Sequence, residues 1–98
     1  MTSVRFHQLA ADELKEIYQW YDEQNKDISS SLSEAIGDAK NRISQDPLSH
    51  EIEIKHFRWV KVRRFPYRLI YEILDDERIL ILAVAHTSRD PGYWKTRT

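Results

Sequence analysis

The chain contains no cysteine, so neither disulfides nor thiolate chemistry is open to it, and that absence fits a reducing cytoplasm. Glycine occurs twice and proline three times in 98 residues. Little of the chain is therefore linker-like, and no glycine-rich loop exists to cradle phosphates. Long apolar runs are also missing. The longest, Ile79 to Ala85, falls far short of the roughly 20 residues a membrane-spanning helix needs. The opening Met1-Thr2-Ser3-Val4-Arg5 lacks the apolar core of a signal peptide. The sequence thus predicts a cytoplasmic protein with no membrane partner. His7, His50, His56 and His86 are scattered, with no ligand pair at helical or zinc-site spacing, so no metal and no cofactor is expected. Asp75-Asp76-Glu77 reads as a solvated turn. His86, Ser88 and Asp90 stand too close in sequence to suggest a nucleophile triad by spacing.

What is present is the composition of an ordinary folded domain, 41% hydrophobic and 32% charged. The length allows one core, so residues 1–98 are expected to form a single domain. The charge is unevenly spread. Residues 1–48 carry five basic and nine acidic side chains, whereas residues 49–98 carry ten basic and seven acidic, within a total of −1. Between Lys55 and Arg68 lie six basic residues and no acidic one. That half can meet an acidic partner; a solvated strand face explains the same pattern.

Val4-Arg5-Phe6-His7 alternates as a short strand. The period then changes: Ala10, Leu14, Ile17, Tyr18 and Tyr21 form one helical stripe, with Asp12 and Glu13 expected in its first turn. Trp20 lies off the stripe, so it should be at its edge or exposed. Asn25-Lys26-Asp27 breaks the pattern. Leu32, Ala35, Ile36, Ala39 and Ile43 form a second stripe, with Ser31 and Glu34 at capping-box spacing and Asp46-Pro47 as the stop. From Phe57 to Trp94 strand patterns dominate, and Glu51-Ile52-Glu53-Ile54 leads into them. Trp59, Lys61, Arg63 and Phe65 should share one face, opposite Val60 and Val62. Tyr67, Leu69, Tyr71 and Ile73 alternate next. Ile79 to Ala85 is apolar on both faces, as in a buried central strand. The expected fold is α+β in the order β-α-α-β-β-β, a helical hairpin on one face of a mostly antiparallel sheet. The other face is left open or needs a partner. Ser88 to Thr98 reads as a polar, aromatic-bearing tail with one helical turn after Pro91.

One cluster merits a chemical reading. Lys55, Arg58, Lys61, Arg63, Arg64 and Arg68 are interleaved with Phe57, Trp59, Phe65 and Tyr67. Arginines clamp phosphates bidentately and aromatic rings stack on unpaired bases. Metal-free RNA cleavage needs a base for the 2′-hydroxyl, an acid for the leaving oxygen and cations for the phosphate. Lys61, Arg63, Arg68, His86, Arg89 and Tyr93 are residue types suited to those roles. The same face also serves as a docking groove for an acidic peptide, and residue chemistry alone leaves both readings open.

The string Arg63-Arg64-Phe65-Pro66-Tyr67-Arg68-Leu69-Ile70-Tyr71-Glu72, then Ile81 to His86, then Arg89-Asp90-Pro91 and Tyr93-Trp94, resembles the RelE/ParE toxins of bacterial type II toxin–antitoxin systems. The Trp20-Tyr21 pair and a second helix ending near Pro47 match as well. The resemblance covers nearly the whole chain. It implies a small cytoplasmic toxin that a cognate acidic antitoxin wraps and neutralises, in a toxin–antitoxin hetero-oligomer. It also implies a helical hairpin on a curved sheet. Trp20, Lys55, Arg58, Trp59, Arg63, Arg64 and Trp94 are the expected partner-binding residues.

The resemblance implies two activities. RelE-like members cut mRNA on the ribosome, whereas ParE-like members inhibit DNA gyrase. The near-neutral charge and Thr87, standing where the nuclease carries a phosphate-clamping arginine, tell against cleavage. Arg89 and Tyr93 match residues of the nuclease's C-terminal site, Lys61 is of a type to act as its base, and Arg68, as a phosphate clamp, and His86 complete the candidate catalytic set. The expected function is gyrase inhibition. The alternatives are a ribosome-dependent mRNA endonuclease and a non-toxic, antitoxin-binding module.

Overall fold

The computed structural model describes residues 2–97. The elements are β1 (Ser3–Phe6), α1 (Gln8–Gln24), α2 (Lys26–Gln45), β2 (Ile52–Ile54), β3 (Phe57–Lys61), β4 (Tyr67–Ile73) and β5 (Arg78–His86), then a 3-10 turn at Lys95–Arg97. The expected order is present, with the Glu51–Ile54 segment contributing the short extra strand β2. The sheet runs β1-β5-β4-β3-β2. Its pairings are antiparallel except β1 with β5, which is parallel because the whole helical hairpin intervenes as a crossover.

The hairpin turns on one residue. Asn25 is extended, donates its N–H to the Tyr21 carbonyl at 2.8 Å and accepts from the Asp27 N–H through its side chain at 2.8 Å. It therefore closes α1 and caps α2 at once. This moves two expected features. Ser31 and Glu34 lie inside α2 rather than at its start, because Asn25 offers a cap ahead of the one at Ser31 that the apolar stripe suggests. Asp12 and Glu13 lie beyond the first turn of α1, which begins at Gln8 with the His7 ring accepting from the Leu9 N–H at 3.0 Å. Asp46-Pro47 ends α2 as expected, and the Tyr71 hydroxyl donates to the Pro47 carbonyl at 2.5 Å, fastening that end to β4.

Two apolar layers sandwich the sheet. On the helical side Ala10, Leu32, Ala35, Ile36, Ala39 and Ile43 meet Val60, Val62, Phe65, Leu69, Tyr71, Ile79, Ile81 and Val84. On the other side Phe57, Ile70, Leu82, Ala83 and Ala85 pack around Trp94. Strand β5 serves both layers through a bulge: Ile70 pairs with Ala83 but Tyr71 with Ile81, so Leu82 is the extra residue. A face expected to be open is thus covered by the chain's own tail, because the turn after Pro91 folds Trp94 back over β5 until it is 1% exposed. Phe65 also departs from expectation. Strand β3 stops at Lys61, and a turn with Arg64 at φ 70° rotates Phe65 to the Val60 and Val62 side.

Candidate functional site

Glu13 organises the junction of α1, β5 and the C-terminal tail. Its Oε1 accepts from the Val84 N–H at 3.1 Å and from Arg97 Nη1 at 2.8 Å. Its Oε2 accepts from the Tyr93 hydroxyl at 2.7 Å and Arg97 Nη2 at 3.2 Å, with Arg89 Nη1 at a longer 3.5 Å. Arg97 also donates to the Leu82 carbonyl at 3.0 Å. Burial, then the hydrogen bond and negative charge of Glu13, hold the Tyr93 phenol far above its ordinary pKa. The Glu13 contact raises the pKa of Arg97. A charged hydrogen bond of this kind is stronger than a neutral one, and here it is largely withdrawn from water.

Beside this junction, a groove of about 240 Å³ runs between α1 and the ends of β4 and β5. Ile17, Tyr67 and Val84 line it, Trp20 and Glu16 stand on the α1 side, and His86 and Arg89 close the far end. Trp20 is 55% exposed and sets its ring edge-on to Tyr21 at 4.9 Å. Tyr21 contacts Tyr67, whose ring meets that of His86 at 5.4 Å, so aromatic surface runs the length of the groove. Burial and the neighbouring Tyr21 push the Tyr67 phenol up to about 12. The His86 Nδ1 is engaged by the Ser88 N–H at 3.1 Å, and the Arg89 guanidinium stacks on Tyr93 at 3.7 Å.

The candidate catalytic residues fall into two groups. His86 and Arg89 line the groove, with the Tyr93 ring beneath the Arg89 guanidinium. Lys61 and Arg68 pair across β3 and β4, with Arg68 over Trp59 on the layer that Tyr93 also joins. Both are occupied there. Lys61 Nζ donates to the Phe65 carbonyl and, at 2.9 Å, to that of Val62, closing the turn after β3. Arg68 is held by Glu53 at 2.9 and 3.4 Å with its guanidinium 5.0 Å from the Trp59 ring, while its buried Nε lacks a partner.

The basic cluster also divides. Lys55 sits exposed at the β2–β3 turn with φ 53°, while Arg63 and Arg64 project from the turn at the other end of β3. Arg58 donates to the His50 carbonyl at 2.6 Å and Trp59 lies half-buried beneath Arg68. Trp94, expected to contact a partner, is instead a core residue: with its ring packed on Phe57 it has no surface to offer. Among the described residues no group of three or more His, Asp or Glu side chains could hold a metal.

Glu13 and Arg97 were absent from the sequence-based candidates. Arg97 gives no signal, since its contacts lie across more than half the chain. Glu13 does give one: it stands three residues after Ala10 and four before Ile17, inside the apolar stripe of α1. A carboxylate there needs a partner to compensate its burial.

Two helices packed on one face of a five-stranded mixed sheet, with a tail sealing the other, define the architecture of a small type II toxin. The match is specific: the family model for the ParE toxin of the type II toxin–antitoxin system parDE aligns with residues 4–91. Toxin ParE2 of Mycobacterium tuberculosis, in strains CDC 1551 / Oshkosh and ATCC 25618 / H37Rv, is 34% identical over 90 residues. That alignment covers 91% of this chain and 85% of ParE2. A chain of the chromosomal ParDE system from P. aeruginosa superimposes with a TM-score of 0.73 at 19% identity, covering 88% of this chain and 96% of that one. The chain belongs to the ParE toxin family.

Proposed function

We propose that this ParE-type toxin arrests growth by inhibiting DNA gyrase and that a cognate acidic antitoxin neutralises it in a cytoplasmic hetero-oligomer. The observation that carries this reading is that the residues a metal-free nuclease would combine are held by partners inside the domain. The Tyr93 hydroxyl is spent on Glu13, the Arg68 guanidinium on Glu53, and the Lys61 ammonium on two carbonyls. A phosphate clamp must have free donors converging on one point, and a general base must carry a free lone pair. A ParE-type toxin acting by binding needs neither.

The test is brief induction in bacteria, with mapping of mRNA 5′ ends, followed by a gyrase supercoiling assay on the purified protein. Growth arrest with intact mRNA and inhibited supercoiling is the expected result. New ends within codons that vanish when translation is blocked would overturn it in favour of a ribosome-dependent nuclease. Normal growth would leave an antitoxin-binding module.

A further inference from the structure

Two turns, each with a residue at positive φ, frame a hollow beside the Trp94 layer. Its volume is about 330 Å³, and Ile54, Lys55, His56, Phe57 and Lys95 line it. Lys55 opens the two-residue turn that joins the Ile54–Phe57 pair, and its φ of 53° suits glycine or asparagine. A lysine strains the backbone there, yet its side chain is exposed and has no hydrogen-bond or ion-pair partner among the described residues. Lys95 folds its stem over Gly92, which has φ 80°; a Cβ at Gly92 would overlap Lys95 Cε. The Lys95 ammonium also lacks a partner among the described residues. The carboxylates nearby are engaged, Glu72 by His56 at 2.5 Å and Glu53 by Arg68 at 2.9 Å. The His56 ring lies against Phe57, centroids 4.3 Å apart, with its side chain still 60% exposed.

We propose that this hollow binds a nucleotide, free or within a DNA strand, with its phosphate between the Lys55 and Lys95 ammoniums and its base against the His56 ring. Backbone strain kept at an exposed position points to a contact made outside the domain. Two compact ammoniums with rotating donors suit the several oxygens of a phosphate, whereas a single carboxylate would leave one of them unanswered. The open face of the imidazole and the exposed Ile54 side chain give a base its stacking surface. The volume lies in the range of small-ligand sites. The Gly92 cradle holds the Lys95 stem in place beforehand, which lowers the cost of ordering it on binding. The site goes beyond gyrase inhibition and does not depend on it.

Adenosine monophosphate, adenosine and a fluorescein-labelled single-stranded DNA oligomer are titrated against the full chain at low salt. Adenosine monophosphate should shift the backbone amide resonances of Lys55, His56, Phe57 and Lys95, and adenosine, which lacks the phosphate, should not. Lys55→Gly removes the ammonium and relieves the positive φ. It should therefore melt at or above the parent while binding about five- to tenfold more weakly, so the loss cannot be ascribed to unfolding. Lys95→Ala should weaken binding to a similar degree. Lys15→Ala makes the same charge change at an exposed position of α1 and should leave binding unaltered. Binding of the oligomer but not of the mononucleotide, with the same order of variants, would support the site and assign it to a strand; the converse would assign it to the free nucleotide. No binding of either at low salt would overturn the site, as would full affinity in both hollow variants or equal weakening by all three. Gyrase inhibition is read separately: a chain that inhibits supercoiling but fails these titrations keeps the gyrase reading and loses the site.

Discussion

Replacing Glu13 with glutamine tests whether one carboxylate holds the C-terminal tail to the body. The substitution keeps the size and one acceptor oxygen but removes the charge. The side chains of Glu13 and Arg97 are 14% and 11% exposed, so this is a largely desolvated pair rather than a surface one. Breaking a buried pair from one side costs about 3–5 kcal/mol at full burial, and a hydrogen bond to a charged group is worth about 1.5–3 kcal/mol. Because glutamine can still accept from Arg97 or Val84 and the tail edge retains some water, the expected loss is about 2–3 kcal/mol. For a domain of this length that lowers the midpoint of thermal unfolding by roughly 10–20 °C. Urea unfolding gives the free energy directly, and a cycle with Arg97→Ala isolates the coupling, expected at about 1 kcal/mol or more. A Glu13→Gln protein within about 0.5 kcal/mol of the parent would refute the reasoning, since no charged hub could then be holding the tail.

Trp94→Ala should cost about 3–5 kcal/mol in a chemical melt, because it empties the layer lined by Phe57, Ile70 and Leu82; a loss below about 1 kcal/mol would return Trp94 to the surface. Arg64→Gly should stabilise by about 0.5–1 kcal/mol, since Arg64 occupies φ 70° without making a core contact; thermal melting of the purified variant reads the sign. Alkaline stability should fall as pH rises from 10 towards 12. Burial keeps the Tyr67 and Tyr71 phenols neutral up to about 12, whereas in the unfolded chain they ionise near 10. Their contribution is therefore complete below pH 10 and lost above it. Tyr71→Phe should shrink that loss, which denaturant titrations at pH 9 and pH 11 would show.

The elements were legible wherever one apolar period ran unbroken. The stripes Ala10 to Tyr21 and Leu32 to Ile43 are the buried faces of α1 and α2, and the continuous run Ile79 to Ala85 is a strand buried on both sides. The sequence misled where a polar side chain outranked the apolar pattern. Asn25 starts α2 well before its stripe, and the turn at Arg63-Arg64, a polar doublet that breaks the alternation, puts Phe65 on the side of Val60 and Val62. Alternation specifies a face only while the backbone stays extended.

The site was less legible than the fold, and for a different reason. Residue type states what a side chain can do, whereas partners decide what it has left to do. Arg68 and Lys61 read as phosphate-handling cations, yet each spends its donors inside the domain. Trp94 reads as a sticky aromatic, yet it is the plug of the second layer. Trp20, by contrast, was placed correctly because it lies off an otherwise regular stripe. Glu13 could have been found by the inverse argument, as a carboxylate standing within the stripe and needing a cation to justify its burial. That cation, Arg97, comes from the far end of the chain, so no window of sequence contains the pair. The same long-range closure brings Arg89 and His86 to the mouth of the groove, where an exposed guanidinium faces an exposed indole across two segments that no local window of sequence joins.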